Sequence, residues 1–169
     1  MFTKETLNAP WNIYLTDPIP SDPVAQFTTH VEEIRQFLKG ISASKALFRY
    51  APGKWSVCEV VGHIADADLI FMVRMLCIAR GEIKPLLGFE EDEYVKSAQF
   101  EKQSWDAILA AHKGIAETAT ALILGFDKEA WQRRGTVNQF SVSPLEMLWV
   151  WMGHERHHIK VLKERYGLG

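Results

Sequence analysis

The chain has 169 residues and a mass of 19.3 kDa, a length typical of one domain with a self-sufficient core. Its hydrophobic fraction of 47% and charged fraction of 24% are those of a folded globular protein and exclude the disordered class. The net charge of -2 and the pI near 6.3 give no basic field that would bind a phosphate backbone, so we expect no nucleic acid partner.

Residues 1–22 are rich in proline, which fixes φ and lacks a helical donor, so we predict an extended N-terminal arm. A first helix is predicted from Ser21 or Asp22 to about Gly40, because apolar residues then recur at spacings of three and four. These apolar residues are Val24, Phe27, Val31, Ile34, Phe37, Leu38 and Ile41.

A second helix is predicted to begin at Ser56, where Ser56-Val57-Cys58-Glu59 has the pattern of a capping box. It continues to Gly81 with apolar residues on more than one side, which indicates burial. Residues 82–102 contain Pro85, Gly88 and four consecutive acids at 90–93. Because like charges favour solvent, we predict that this segment is a long solvated connection.

A third helix is predicted from its cap at Ser104 to Gly125, followed by a short helical turn at 127–131. Ser143-Pro144-Leu145-Glu146 combines a capping Ser, a Pro at the first helical position and a box Glu, so the last helix should run from there to about Tyr166. No segment alternates as a strand does. The sequence therefore predicts a single all-α domain over residues 1–169, a four-helix bundle.

Three histidines are predicted to meet inside this bundle. His154 and His158 lie one turn apart on the apolar face of the last helix, where a buried imidazole needs a hydrogen bond or a metal ion. Their spacing alone leaves both explanations open. His63 lies on an apolar surface of the second helix, and bundle cores build metal sites from such facing side chains. We therefore predict a divalent metal site formed by His63, His154 and His158.

His154-Glu155-x-x-His158 also matches the zincin protease motif, with Glu155 as the base. The context argues against a protease, because Glu164 stands where a metzincin has its third histidine. Eleven residues follow His158, too few for a further helix that would bring a thermolysin-like ligand.

Two carboxylates near His63 are candidates for orienting an imidazole or acting as a base, namely Glu59 and Asp66. A helix cap for Glu59 and a solvated face for Asp66 explain them equally well. Large aromatics at bundle spacings are more often core residues than pocket walls. We expect this of three tryptophans: Trp55, Trp149 and Trp151.

The residues Lys54-Trp55-Ser56 before a helix with His63, together with a last helix bearing His154 and His158, resemble the DinB/YfiT superfamily. The resemblance covers about residues 22–168. It implies a four-helix bundle with a long crossover between helices two and three. It also implies a divalent ion, nickel or zinc, on the three histidines, with the neighbouring His157 outside the ligand set.

The resemblance implies a metal-dependent enzyme acting on a small molecule, of the hydrolase or thiol S-transferase type, with a low-molecular-weight thiol among the expected partners. The alternative is a non-catalytic bundle that binds metal or dimerises. A homodimer is expected because relatives often form one. Cys58 and Cys77 fit reduced core thiols, and no apolar run suits a signal peptide or a bilayer span, so we expect a cytoplasmic protein without a membrane partner.

Overall fold

The computed structural model describes residues 10–14 and 22–169. Four long helices form an all-α four-helix bundle with a long crossover between the second and the third of them, as predicted. The α-helices are α1 (Pro23–Lys39), α2 (Val57–Ala79), α3 (Glu91–Ala98), α4 (Trp105–Leu124), α5 (Lys128–Gln132) and α6 (Pro144–Tyr166). Short 3-10 turns lie at Pro10–Tyr14, Ala43–Lys45 and Phe100–Lys102.

The long helices begin where side chains cap them. Ser56 and Glu59 form a complete capping box at α2, in which the Ser56 amide donates to the Glu59 carboxylate at 2.7 Å. Ser143 and Glu146 form the equivalent box at α6, also with an amide–carboxylate distance of 2.7 Å. Each cap contributes about 0.5–2 kcal/mol, which explains why the predicted helix starts are accurate.

The bundle core is formed mainly by α2 and α6, which pack against each other, while α2 also packs on α4 and α1 packs on both α4 and α6. One apolar cluster centres on the buried Trp151 ring, which lies edge-on to Phe27 with ring centroids 5.0 Å apart. A second cluster includes Ile64 and Leu162, both fully buried. The helices are thus held by burial of their predicted stripes, at about 25 cal/mol per Å² of apolar surface.

The prediction of a solvated connection over residues 82–102 was wrong in its second half. The four acids open α3, where negative charge is favourable beside the positive end of the helix dipole. Val95 and Phe100 are buried, and Phe100 packs so closely on α2 that a Cβ at Gly62 would lie 2.4 Å from its ring. The crossover is therefore packed against the bundle through this short helix.

A β-hairpin, which the sequence did not predict, joins α5 to α6. Its strands are β1 (Gly135–Val137) and β2 (Phe140–Val142), paired antiparallel with Val137 opposite Phe140. The crossover adds to this hairpin, since the Leu86 amide donates to the Thr136 carbonyl at 2.8 Å. Strands of three residues are too short to show an alternating pattern.

The predicted extended arm is corrected at residues 10–14, which form a 3-10 turn packed on α6. The other residues of the predicted arm up to position 21 lie outside the described residues.

Helix α4 is long and apolar enough, by length and composition alone, to cross a membrane, and it is the one such helix within the described ranges. The core helix of a bundle meets the same criterion. Its packing on α1 and α2, and the ionisable side chains Asp106, His112 and Lys113 along it, are typical of a bundle helix.

Replacing Tyr166 by Phe should make the protein less sensitive to alkali. The Tyr166 hydroxyl donates to the Trp55 carbonyl at 2.6 Å, and burial, with Tyr50 nearby, raises the pKa of Tyr166 from 10.0 to about 12. The unfolded chain releases this proton first, so stability falls as pH rises through that window. The variant should lose about 1 kcal/mol at neutral pH.

The measurement is urea unfolding from neutral pH to about pH 12. The variant's free energy of unfolding should fall less steeply above pH 10 than that of the wild type. Tyr94→Phe, at an exposed position, is the control and should leave the slope unchanged. Equal slopes for Tyr166→Phe and the wild type would contradict the prediction.

Candidate metal centre

The three predicted histidines converge at one point in the bundle. His63 projects from α2, and His154 and His158 project from successive turns of α6. The His154 Nε2 atom lies 3.1 Å from the Nε2 atoms of both His63 and His158. The bundle therefore presents three imidazole nitrogens to a common centre.

The surroundings keep these imidazoles neutral. His63 and His154 are almost fully buried, and His158 is half-buried. Burial lowers the pKa of His63 to about 4, while burial and the neighbouring His63 lower the pKa of His158 to about 3. Burial, followed by the other histidines, also places the pKa of His154 well below its ordinary value. A neutral imidazole is the form that binds a metal ion.

The arrangement fits a bound cation. A neutral ring carries one proton, and if that proton is on Nδ1, three Nε2 lone pairs face one another without a positive charge between them. Two ligand nitrogens on a tetrahedral zinc ion are about 3.3 Å apart, given Zn–N bonds of about 2.0–2.1 Å. The observed spacing of 3.1 Å is close to this value.

Aromatic side chains form the walls around the three histidines. The Trp55 ring lies 4.9 Å from that of His63, and the rings of Phe71 and Tyr14 lie 5.5 and 5.4 Å from that of His154. Trp149 and Trp151 are buried in the core, as expected, and Trp55 packs against the second apolar cluster while also contacting His63.

A carboxylate that the sequence analysis did not select lies beside the three histidines. The Glu91 Oε2 atom is 3.9 Å from the His63 Nε2 atom, and the Glu91 side chain is 62% exposed. Burial of part of the side chain, with the adjacent acids, raises the pKa of Glu91. A sequence signal existed, since acids at the start of a helix are common, but α3 itself was not predicted.

The two carboxylates proposed from the sequence have other surroundings. Glu59 belongs to the α2 capping box and pairs with Arg49 at 2.7 Å, which matches the helix-cap explanation. Asp66 is half-buried, and burial raises its pKa, but within the described ranges it shows no hydrogen bond or ion pair to a histidine. His157 is exposed, with its ring edge-on to His158.

Glu155 does not face the three histidines as a zincin base would. Its two carboxylate oxygens accept hydrogen bonds from His30 at 2.7 Å and His112 at 2.9 Å, and the side chain is 2% exposed. The protease alternative therefore finds no support in the geometry.

Replacing Gly153 by Ala should displace the 10–14 turn from α6. A Cβ at Gly153 would lie 1.9 Å from the Tyr14 carbonyl oxygen, so the backbone of the turn must move. Alanine inside a helix is otherwise more favourable than glycine by about 1 kcal/mol. Hydrogen exchange should therefore show residues 10–14 unprotected while the bundle stays folded.

Gly114→Ala is the matched control, because a Cβ at that position of α4 meets nothing within 4 Å. It should raise the melting temperature and leave the exchange of residues 10–14 unchanged. Protection of these residues in Gly153→Ala equal to that in the wild type would contradict the close approach.

Comparison with known proteins identifies a family, a relative in sequence and two solved structures with a similar fold. The model of the DinB superfamily matches residues 26–162. A protein of Geobacillus thermodenitrificans (strain NG80-2) named "Putative metal-dependent hydrolase" is 27% identical over 146 residues, which are 80% of this chain and 79% of that protein. YfiT from Bacillus subtilis, with its unusual four-helix bundle topology, superposes with a TM-score of 0.76 at 19% identity over 91% of this chain and 93% of YfiT.

The mycothiol-dependent maleylpyruvate isomerase superposes with a TM-score of 0.67 at 18% identity. The match covers 95% of this chain but 62% of that enzyme, so it relates the bundle to one part of a longer protein. At these identities the two solved structures support the bundle topology alone. Because the family model spans most of the chain, including all three converging histidines, the protein belongs to the DinB superfamily.

Proposed function

We propose that His63, His154 and His158 hold a divalent ion, nickel or zinc, and that the protein is a metal-dependent enzyme acting on a small molecule. The observation that carries this proposal is the convergence of three desolvated Nε2 atoms with an exposed carboxylate, that of Glu91, at their side. The proposed reaction is hydrolysis or thiol transfer.

Three protein ligands suit a catalytic site, because they leave coordination positions open, whereas a structural zinc site is usually closed by four ligands. When bound, the ion supplies Lewis acidity, which polarises a carbonyl and makes water or a thiol a stronger nucleophile near neutral pH. The same three ligands would serve either reaction.

The chain's own contribution is to orient the reactants and accept a proton. Glu91 is close to the histidines yet solvent-accessible, so its carboxylate can accept a proton from the attacking water or thiol. The raised pKa of Glu91 makes it a better base than an ordinary surface glutamate. Trp55 and Tyr14 provide apolar walls that would contact the substrate and limit water.

Relatives support both reaction classes without choosing between them. The Geobacillus relative is named for metal-dependent hydrolysis, and the isomerase with the same bundle depends on a thiol, mycothiol. A low-molecular-weight thiol is therefore a proposed partner of this chain. A homodimer and a cytoplasmic location remain expectations. The cysteines Cys58 and Cys77 are both free.

The alternative function is a non-catalytic bundle that binds metal. Elemental analysis of protein purified without chelator or metal-affinity tag, after supplementation with zinc and nickel, should find about one ion or more per chain. Assays with activated esters and amides, and with thiols plus electrophiles, should then show turnover that chelation removes and metal restores. Metal without turnover would favour the alternative, and a metal-free protein would contradict both.

A further inference from the structure

A second cluster of buried polar groups lies apart from the three histidines. Each helix of the bundle contributes one side chain: His30 from α1, Asp68 from α2, His112 from α4 and Glu155 from α6. All four are 1–3% exposed. We propose that Asp68, His112 and Glu155 form a second divalent cation site, with His30 positioning Glu155.

The donor atoms have the spacing that a first-row metal ion needs. The Asp68, His112 and Glu155 donors all lie within 4.8 Å of one another. His112 Nε2 is 3.6 Å from Asp68 Oδ2 and 2.9 Å from Glu155 Oε1. Ligands on one tetrahedral ion are about 3.4 Å apart for bonds of about 2.1 Å. Small side-chain shifts, with the His112 proton on Nδ1 so that the Nε2 lone pair faces the ion in place of the hydrogen bond to Glu155, therefore suffice to bind an ion.

Asp68 gives an independent observation that points to a ligand. Neither of its carboxylate oxygens has a hydrogen bond among the residues that the structure describes, although the side chain is 1% exposed. A buried carboxylate that accepts no hydrogen bond is costly, and a second carboxylate, that of Glu155, lies beside it. Burial first, and then Glu155, raise the pKa of Asp68 well above its ordinary range. A cation would remove both penalties.

The donors also indicate the class of ion. Two carboxylates with one imidazole suit zinc, manganese, cobalt or ferrous iron better than calcium or magnesium, which prefer oxygen ligands alone. Four-helix bundles often place such mixed sites among facing helices. A cleft of ≈ 350 Å³ between α1 and α4, lined by Thr28, His112 and Glu117, adjoins the cluster.

This site is separate from the proposed function and does not depend on it. It joins three helices through one ion and a fourth through His30, so its main effect would be to stabilise the bundle. Glu155 follows His154 directly on α6, so a bound ion would also fix the turn that carries the first site.

The test counts zinc bound per chain after metal-stripped protein is dialysed against zinc chloride. The wild type should bind about two ions, and Asp68→Asn, which keeps the shape of the side chain, about one. His63→Ala/His158→Ala, which disables the first site, should bind about one zinc ion. The variant that carries all three substitutions, at Asp68, His63 and His158, should bind about none. Asp106→Asn, the same change at an exposed position of α4, should bind as many ions as the wild type.

A second measurement shows whether a variant loses zinc because it unfolds. In the His63→Ala/His158→Ala background, zinc should raise the melting temperature, and Asp68→Asn should abolish that rise while the stripped protein still melts cooperatively. Equal zinc content in Asp68→Asn and wild type would overturn the second site. Loss of zinc in His63→Ala/His158→Ala but not in Asp68→Asn would leave the first site standing alone. The reverse pattern would support the second site and overturn the first.

Discussion

His154→Ala is expected to weaken divalent metal binding at the three-histidine site by more than about 100-fold, because loss of an outer partner of a ligand alone costs roughly 10–100-fold. His154 lies between the other two histidines, 3.1 Å from each, so its removal leaves two of the three converging donors. Any metal-dependent turnover should fall to background. Nickel titration of protein that also carries Asp68→Asn would measure the affinity of the three-histidine site alone.

His157→Ala is the matched control, because it removes the same ring from the neighbouring, exposed position of α6. Its imidazole stacks edge-on against His158 but is not among the converging donors. The control should keep metal affinity within a few-fold of wild type, and circular dichroism should show both variants folded. Equal affinity of His154→Ala and His157→Ala for nickel would contradict the assignment of His154 as a ligand.

The long helices could be predicted because their ends are encoded locally. Ser56 and Ser143 each precede a glutamate by three residues, and both capping boxes form in the structure. The elements that were missed are α3, with eight residues, and the two hairpin strands, with three residues each, and all are too short for a periodic pattern. Their stability comes instead from contacts such as that of Phe100 with Gly62, which sequence spacing does not reveal.

The candidate site could be predicted in part, because some of its residues are also placed by local sequence patterns. His154 and His158 are close because of helical spacing, and His63 could be added because its helix face is apolar. The acids at 90–93 could indicate the start of a helix, but the approach of Glu91 to His63 depends on how the crossover packs, which no local pattern shows. Asp68 has a local signal, since a carboxylate next to the buried Ala67 within an apolar helix requires a partner, but Asp66 on the other side of Ala67 has the same signal.

Glu91→Gln is expected to lower kcat/KM of the proposed enzyme by about 100-fold or more while bound metal stays unchanged, since a general base contributes about 10²–10⁴-fold. Glutamine keeps the shape of the side chain but cannot accept the proton. Because the carboxylate lies 3.9 Å from His63 Nε2, it is adjacent to the site without being one of the three converging donors. The measurement is steady-state kinetics on protein of known metal content.

Glu93→Gln separates this role from a general effect on α3. Both glutamates lie in the first turn of α3, where loss of a negative charge weakens the helix by about 0.3–1 kcal/mol, but Glu93 points to solvent and pairs with Lys96. Activity should therefore survive Glu93→Gln. Equal losses of activity in both variants would assign the effect to the stability of α3. Loss of metal in Glu91→Gln would make Glu91 a ligand, and the proton would then need another acceptor.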